Sequence, residues 1–121
     1  MLKLSGLIVF VLIVSACSNG YLSTSGSRPN TKIFKYSGSL QCEEGSGVGI
    51  DAMKQDLIDS GIDVICSQEM HDGLARAAFC GNSTGQINVF EIHNSNLPDT
   101  VNLGFSTVDV LSQYQDEKCE Q

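Results

Sequence analysis

Cysteine is the residue type in this chain with the most specific chemistry, and there are five: Cys17, Cys42, Cys66, Cys80 and Cys119. A cysteine thiol can form a disulfide, bind a metal ion or carry a lipid, according to its compartment and its neighbours. Because five is an odd number, one thiol is left over when the others form disulfides within the chain. The sequence has no Cys-x-x-Cys spacing, which argues against a thiolate metal site and favours two disulfides.

The segment before Cys17 indicates which cysteine is set apart. Lys3 precedes an unbroken apolar run over residues 7–14, and small residues follow, a pattern typical of an export signal. As a helix, residues 7–16 would rise about 15 Å, roughly half of a hydrocarbon core, so this run is too short to span a membrane. The sequence Val-Ser-Ala-Cys at residues 14–17 resembles a bacterial lipobox, in which an aliphatic residue and two small residues precede the cysteine.

The lipobox resemblance implies that the chain is cut before Cys17, that its thiol carries a diacylglycerol and that the new amino group is acylated. Residues 1–16 are then a signal peptide, and residues 17–31 are a lipidated tether whose small polar residues favour flexibility. The implied location is the cell envelope. In a Gram-negative host, Ser18 rather than Asp after the cysteine favours the outer membrane facing the periplasm. The alternative is an ordinary secretory signal that leaves Cys17 as a free thiol.

The balance of charge argues against one class of partner. The chain has 14 Asp and Glu against 7 Lys and Arg. Because Lys3 lies in the predicted signal, the remaining chain has 6 basic residues and a net charge of −8. Such an acidic chain is not suited to nucleic acid, whose binding needs a basic surface to displace counterions. Nor does it suit adhesion to anionic lipid by charge, so we expect membrane attachment through the lipid on Cys17.

The apolar pattern of residues 32–121 predicts one small domain in which strands and helices alternate. Residues 50–60 are predicted to be a helix, because apolar residues recur at three- and four-residue spacing and Gly61 follows. Strands are predicted over residues 32–42, 62–67, 74–80, 86–93 and 105–111, with a turn at 71–73 and a short helix at Ser95 and Pro98. Residues 57–62 and 100–105 share one pattern, a helix followed by a glycine and an apolar residue.

These elements predict the α+β class: a two-layer sandwich with a mainly antiparallel sheet and two helices on one face, ferredoxin-like or a variant. In the simple ferredoxin-like order, the end of the first strand lies beside the start of the third. That order favours a Cys42–Cys80 disulfide and leaves Cys66–Cys119. A hairpin turning at residues 71–73 would instead place Cys66 opposite Cys80. Four cysteines allow three pairings, and the sequence leaves the choice open.

The sequence predicts no catalytic centre. It contains neither a Gly-x-Ser-x-Gly nor a His-Glu-x-x-His motif, so we expect neither an enzyme nor a cofactor. Glu91 and His93 are two residues apart in a predicted strand and therefore share a face, and His71 from a turn could join them around a metal ion. The interpretation that we favour is a solvated strand face and a polar turn.

Four segments of the domain resemble small exported bacterial proteins without assigned function: residues 39–42, 79–81, 88–92 and 103–105. This resemblance covers roughly residues 36–106 and implies no catalytic residues. We therefore expect a non-catalytic lipoprotein whose disulfide-braced domain binds an envelope component, either another protein or peptidoglycan. The strand–helix–strand repeat is similar to that of the SPOR class of peptidoglycan-binding modules. A metal-binding or metal-delivery lipoprotein is the second hypothesis.

Overall fold

The computed structural model describes residues 29–119, which contain four strands and two helices. The predicted signal peptide, Cys17 and nearly all of the predicted tether lie outside these residues. The elements are, in chain order, β1 (Asn30–Tyr36), α1 (Ile50–Asp59), β2 (Val64–His71), β3 (Gln86–His93), α2 (Leu97–Asn102) and β4 (Ser106–Thr107). Single turns of 3₁₀ helix follow β3 and β4. Across residues 29–119, no helix has the length and apolar character needed to cross a membrane.

The strands lie in the order β2-β3-β1-β4, and each neighbouring pair is antiparallel. With one helix after β1 and another after β3, this is the strand order of a ferredoxin-like sandwich. The predicted α+β class is therefore confirmed. The two central strands pair along their whole length, from Asn30 opposite His93 to Tyr36 opposite Ile87.

Both helices pack on the same face of the sheet. Met53 and Leu57, four residues apart in α1, are buried in one cluster with Phe90 and Ile92 of β3. Leu97, at the start of α2, packs against the same cluster. Side chains two residues apart in a strand, or four apart in a helix, share a face. Phe90 and Ile92 therefore face α1, and Met53 and Leu57 face β3. This cluster is the main core of the domain.

The two helices end with the same hydrogen-bond pattern. Gly61 follows α1 at φ +79°, and the Ile62 N–H donates to the Leu57 carbonyl over 3.0 Å. Gly104 follows α2 at φ +86°, and the N–H of the next residue donates to the Thr100 carbonyl over 3.1 Å. In both places a left-handed glycine lets the chain reverse while an apolar residue returns to the core. The two similar segments of the sequence therefore share one local structure.

The second face of the sheet is covered by the C-terminal segment, which we define as residues 108–119. Phe34 of β1 with Ile87 and Val89 of β3 forms a small buried cluster on this face. Three side chains of the C-terminal segment pack against this cluster: Val108, Leu111 and Tyr114. At the end of the segment, Cys119 is disulfide-bonded to Cys66 of β2. The chain itself therefore closes a face that two layers alone would leave open.

The predicted strand over residues 74–80 is wrong. These residues form an irregular loop, and β2 extends instead to His71, through part of the predicted turn. The reason is burial, because every side chain from Leu74 to Phe79 is exposed or half-buried and none contributes to the core. A strand is stabilised by packing against its neighbours, which this segment lacks.

Three other boundaries differ from the predictions. The first strand ends at Tyr36 rather than residue 42, because Gly38 turns the chain at φ +77°. The last strand keeps only residues 106–107, since the chain then turns through a 3₁₀ helix onto the second face. The cap of α2 is Asn96 rather than Ser95, although Pro98 lies in the first turn as predicted. The structure reproduces the predicted α1 and β3 closely.

Candidate functional site

Two loops meet at the end of the sheet where β1 and β2 finish and β3 begins. We call them together the loop surface: residues 37–48 and residues 72–85. A disulfide between Cys42 and Cys80 joins the two loops, with a Cα–Cα distance of 5.1 Å. The Gln41 N–H donates to the Asn82 carbonyl over 2.8 Å, and the Gln41 carbonyl accepts from Gly81 over 3.0 Å. Each loop therefore supports the other without regular secondary structure.

A buried carboxylate holds the second of these loops to β1. Asp72 is 1% exposed and accepts hydrogen bonds from both ends of the Arg76 guanidinium, one of them over 2.8 Å. It also accepts from the Tyr36 hydroxyl over 2.8 Å and from the Leu74 N–H over 3.0 Å. The Arg76 guanidinium, helped by the other donors and opposed by burial, holds the pKa of the Asp72 carboxyl well below its usual range. This charge-assisted network fixes the loop where it leaves β2.

His71, the last residue of β2, contacts the loop surface. Its Nδ1 accepts a hydrogen bond from the Gly73 N–H over 2.9 Å, and its Nε2 lies 3.0 Å from the Thr84 carbonyl. Because Nδ1 accepts, Nε2 is the nitrogen that donates, and both ring nitrogens have partners within the loop. Gly85 has φ +77°, and a Cβ there would approach Nε2 to 2.7 Å and the Arg76 guanidinium more closely still, so any other residue would strain the backbone and displace these side chains.

The structure separates His71 from the other two residues of the metal hypothesis. His71 pairs with Gln86, five residues from Glu91 along β3, which corresponds to about 17 Å of strand. Glu91 and His93 do share a face, and Asn30 of β1 lies between them. The Asn30 side chain donates to Glu91 Oε1 over 3.0 Å, and its oxygen lies 3.1 Å from His93 Nδ1. These three residues therefore do not converge on one metal ion.

The loop surface presents large apolar side chains to solvent. Phe79 is 59% exposed, Val48 is 46% exposed and Leu74 is 45% exposed. The residues between Leu74 and Phe79 include three exposed alanines, so the loop has an apolar rim. A braced backbone with exposed apolar side chains is typical of a docking surface, because docking then costs little conformational entropy.

A second feature lies on the second face of the sheet, away from the helices, where a pocket of about 320 Å³ opens beside the C-terminal segment. We call it the tail pocket; it is lined by Asn30, Thr31, Lys32, Glu91, Val108 and Asp116. The Lys32 ammonium lies 2.6 Å from Asp116 Oδ1 and donates to the Glu117 carbonyl over 2.7 Å. The Tyr114 hydroxyl donates to the same Asp116 oxygen, and burial together with Asp116 raises the pKa of Tyr114 to about 12. These contacts fasten the C-terminal segment to β1.

Next to the tail pocket, a carboxylate lies against a disulfide. Cys66 and Glu91 are opposite each other in the β2–β3 ladder, after a register shift that follows Val64. Glu91 Oε2 is 3.6 Å from Cys66 Sγ, and Cys66 is bonded to Cys119. The oxygen and the two sulfurs all lie within 4.8 Å of one another. The sequence does not predict this group, because the register shift that aligns Cys66 with Glu91 is not visible in it.

The ion pair of Asp72 and Arg76 was also missed at the sequence level. The sequence indicates a turn at residues 71–73 but assigns no partner to Asp72. One signal was present, since these two residues are the only Asp, Glu, Lys or Arg between Met70 and Cys80. A single pair of opposite charges in an otherwise apolar segment has few alternative partners nearby.

Comparison with known proteins leaves the function to be argued from the chain itself. No family model, no curated protein and no solved structure matches it.

Proposed function

We propose that this protein is a lipid-anchored component of the bacterial envelope, and that its loop surface binds another envelope protein without catalysis. The observation that carries the proposal is the exposure of Phe79 and Leu74 on a loop with firm support at both ends. The Asp72 network supports its beginning, and the Cys42–Cys80 disulfide supports its end. Exposed aromatic side chains on a preorganised backbone are frequent anchors of protein interfaces.

The two disulfides support the proposed location. Disulfides persist in exported proteins and are uncommon in a reducing cytosol. With Cys42 bonded to Cys80 and Cys66 bonded to Cys119, Cys17 is the cysteine left for the lipid. The lipobox resemblance and the cysteine pairing are separate observations, and both favour an exported, lipid-anchored chain.

The chemistry of residues 74–79 favours a protein partner over peptidoglycan. Between Leu74 and Phe79, the only polar side chain is that of Arg76, and it is hydrogen-bonded to Asp72 and to the Leu74 carbonyl. Recognition of a glycan strand depends on hydrogen bonds to its hydroxyl and amide groups, for which this segment offers no uncommitted side chain. An apolar rim suits an apolar protein surface instead.

Site-specific photocrosslinking in living cells tests the binding surface. A photoreactive phenylalanine analogue is placed at residue 79, and the matched control carries it at Val101, which is 63% exposed on α2. We expect one discrete crosslinked protein from residue 79 and none from residue 101. With the analogue at Leu74 instead, Phe79→Ala should reduce the yield of the same product. Equal labelling at residues 79 and 101, or none at residues 74 and 79, would overturn the proposal.

Sedimentation with purified peptidoglycan distinguishes the alternative partner. If the protein sediments with peptidoglycan and Phe79→Ala abolishes this, the loop surface binds glycan, and the proposal of a protein partner is wrong. We expect no sedimentation above that of the Phe79→Ala variant. The Val101→Ala variant is the matched control for loss of an exposed apolar side chain.

Cell fractionation and intact mass test the anchor. Cys17→Ser should remove the mass of the lipid and release the protein from the membrane fraction. Cys119→Ser is the control, because it also removes one cysteine but should leave the lipid and the membrane fraction unchanged. A Cys17→Ser protein that stays with the membrane would contradict the lipid anchor and leave the test of the loop surface unaffected.

A further inference from the structure

We propose that reduction of the Cys66–Cys119 disulfide creates a zinc site, in which the two thiolates and the Glu91 carboxylate are the protein ligands. This inference concerns the second sheet face and does not depend on the partner of the loop surface. The three residues come from β2, β3 and the C-terminal segment, and the Glu91 oxygen lies within 4.8 Å of both sulfurs of the disulfide. Each of these ligand types is common in zinc sites.

The distance between Cys66 and Glu91 fits tetrahedral zinc, and reduction frees the two bonded sulfurs to move apart. Zinc lies about 2.3 Å from a thiolate and about 2.0 Å from a carboxylate oxygen, so a tetrahedral sulfur–oxygen edge is about 3.5 Å. Cys66 Sγ and Glu91 Oε2 are 3.6 Å apart. Three protein ligands with a fourth position open is the arrangement that zinc adopts at reactive sites. Glu91 also lines the tail pocket.

The Glu91 carboxylate is held in place for this role. Its Oε1 accepts a hydrogen bond from Asn30 over 3.0 Å, and the Asn30 oxygen in turn lies 3.1 Å from His93 Nδ1. This leaves Oε2 directed at the sulfur of Cys66. Hydrogen bonds from neighbouring residues are how proteins orient carboxylate ligands, and their loss typically weakens metal binding. His93, which the sequence suggested as a ligand, has a supporting position instead.

The charge of the reduced group favours a cation. A divalent cation suits the reduced group, because two thiolates and one carboxylate then surround two positive charges. The ammonium of Lys32 lines the same pocket but already pairs with Asp116 at 2.6 Å. Its charge is therefore committed to the C-terminal segment.

The reaction balances with a small dithiol as the reductant. The S–S bond breaks, each sulfur gains one electron and one proton, and the dithiol is oxidised to its own disulfide. Zinc then displaces the two thiol protons and forms bonds to Cys66, Cys119 and Glu91. Cys119 is half-buried whereas Cys66 is 6% exposed, so attack of the reductant is favoured at the Cys119 sulfur.

Cobalt(II) titration of the full-length protein in detergent tests the site, because cobalt–thiolate bonds absorb in the near ultraviolet. We expect the dithiol-reduced protein to bind one cobalt ion per chain with thiolate absorption, and zinc to displace it. The oxidised protein should give no such absorption. Absence of binding by the reduced protein, or binding that circular dichroism shows to occur only in an unfolded chain, would refute the site.

Three variants distinguish this site from other ligands. Cys66→Ser/Cys119→Ser retains Cys42 and Cys80 and should lose the thiolate absorption; retention would assign cobalt to the other cysteine pair and overturn the proposal. Glu91→Gln should bind at least about tenfold more weakly than the wild-type chain. Glu69→Gln removes an exposed carboxylate of the neighbouring strand and should bind as the wild-type chain does. Equal affinity of the Glu91 and Glu69 variants would exclude Glu91 as a ligand.

Discussion

Arg76 Nη1 donates to Asp72 Oδ1 over 2.8 Å, and this ion pair closes a loop in the segment where the sequence predicts a strand. The carboxylate is buried, whereas the side chain of Arg76 is 20% exposed. Because the guanidinium folds back on Asp72, the exposed side chains between Leu74 and Phe79 are all apolar. One ion pair thus shapes this segment of the loop surface and leaves it apolar.

Removing the Asp72 carboxylate should destabilise the domain. Asp72→Ala leaves the Tyr36 hydroxyl and the Leu74 N–H without their acceptor, so we expect the free energy of unfolding to fall by about 1–3 kcal/mol. Urea unfolding gives this value. The control is Asp63→Ala, at an exposed position before β2, for which we expect a change within about 0.5 kcal/mol. Similar losses in both variants would contradict a specific role for Asp72.

The contribution of Asp72 should depend on pH. Its pKa is lower in the folded chain than in the unfolded chain, so its stabilisation is complete above the unfolded value of 3.8 and is lost as the pH falls toward the folded value. We therefore expect the stability difference between the wild type and Asp72→Ala to be constant above about pH 5 and to shrink below about pH 4. Urea unfolding across this range measures it. A difference as large at pH 2.5 as at pH 7 would show that the ionised carboxylate is not the cause.

The Cys42–Cys80 disulfide should stabilise the fold and restrain Phe79. The cysteines are 38 residues apart, and a closed loop of that length corresponds to about 4 kcal/mol of stabilisation. Cys42→Ser/Cys80→Ser should lose an amount of this order in urea unfolding. Limited trypsin digestion should then cut after Arg76 before it cuts after Lys35, which lies inside β1. Cys66→Ser/Cys119→Ser retains the loop disulfide, and early cutting after Arg76 in that variant too would contradict the prediction.

The end of α1 offers a test of backbone geometry without a change in packing. A Cβ at Gly61 meets no atom within 4 Å, but the residue has φ +79°, so Gly61→Ala should cost about 1 kcal/mol. The matched control is Gly49→Ala, where a Cβ also meets no atom within 4 Å and φ is −66°. Thermal unfolding should show a clear loss for Gly61→Ala and little change for Gly49→Ala. Equal effects would mean that the left-handed geometry does not limit Gly61.

Elements with a strong local signal were predicted well. The sequence predicts α1 from the apolar residues Met53 and Leu57 on one face and from Gly61 after its end. These residues lie close together in the chain, so the prediction needs no tertiary contact. The strand β3 has a run of apolar residues in which both faces are buried, so either face supports a strand. The order of elements then restricts the sheet to few arrangements.

The loop at residues 72–80 and the C-terminal segment were predicted poorly for one physical reason. The apolar residues Leu74 and Phe79 remain exposed, whereas Val108 and Leu111 pack on the second face of the sheet. The burial of these side chains does not depend on their neighbours in sequence. It depends on which part of the sheet each segment lies against, and for the C-terminal segment the disulfide between Cys119 and Cys66 helps to fix that position.

The amino-acid sequence by itself determined the α+β class, the positions of α1 and β3, and the prediction of two disulfides from four of five cysteines, because these follow from local periodicity and from counting. Only the tertiary structure decided that Cys42 pairs with Cys80, that Glu91 faces Cys66 and that Asp72 is buried beneath its loop. Those relationships join residues far apart in the chain. They depend on strand register and burial, which are properties of the assembled sheet and not of any one segment.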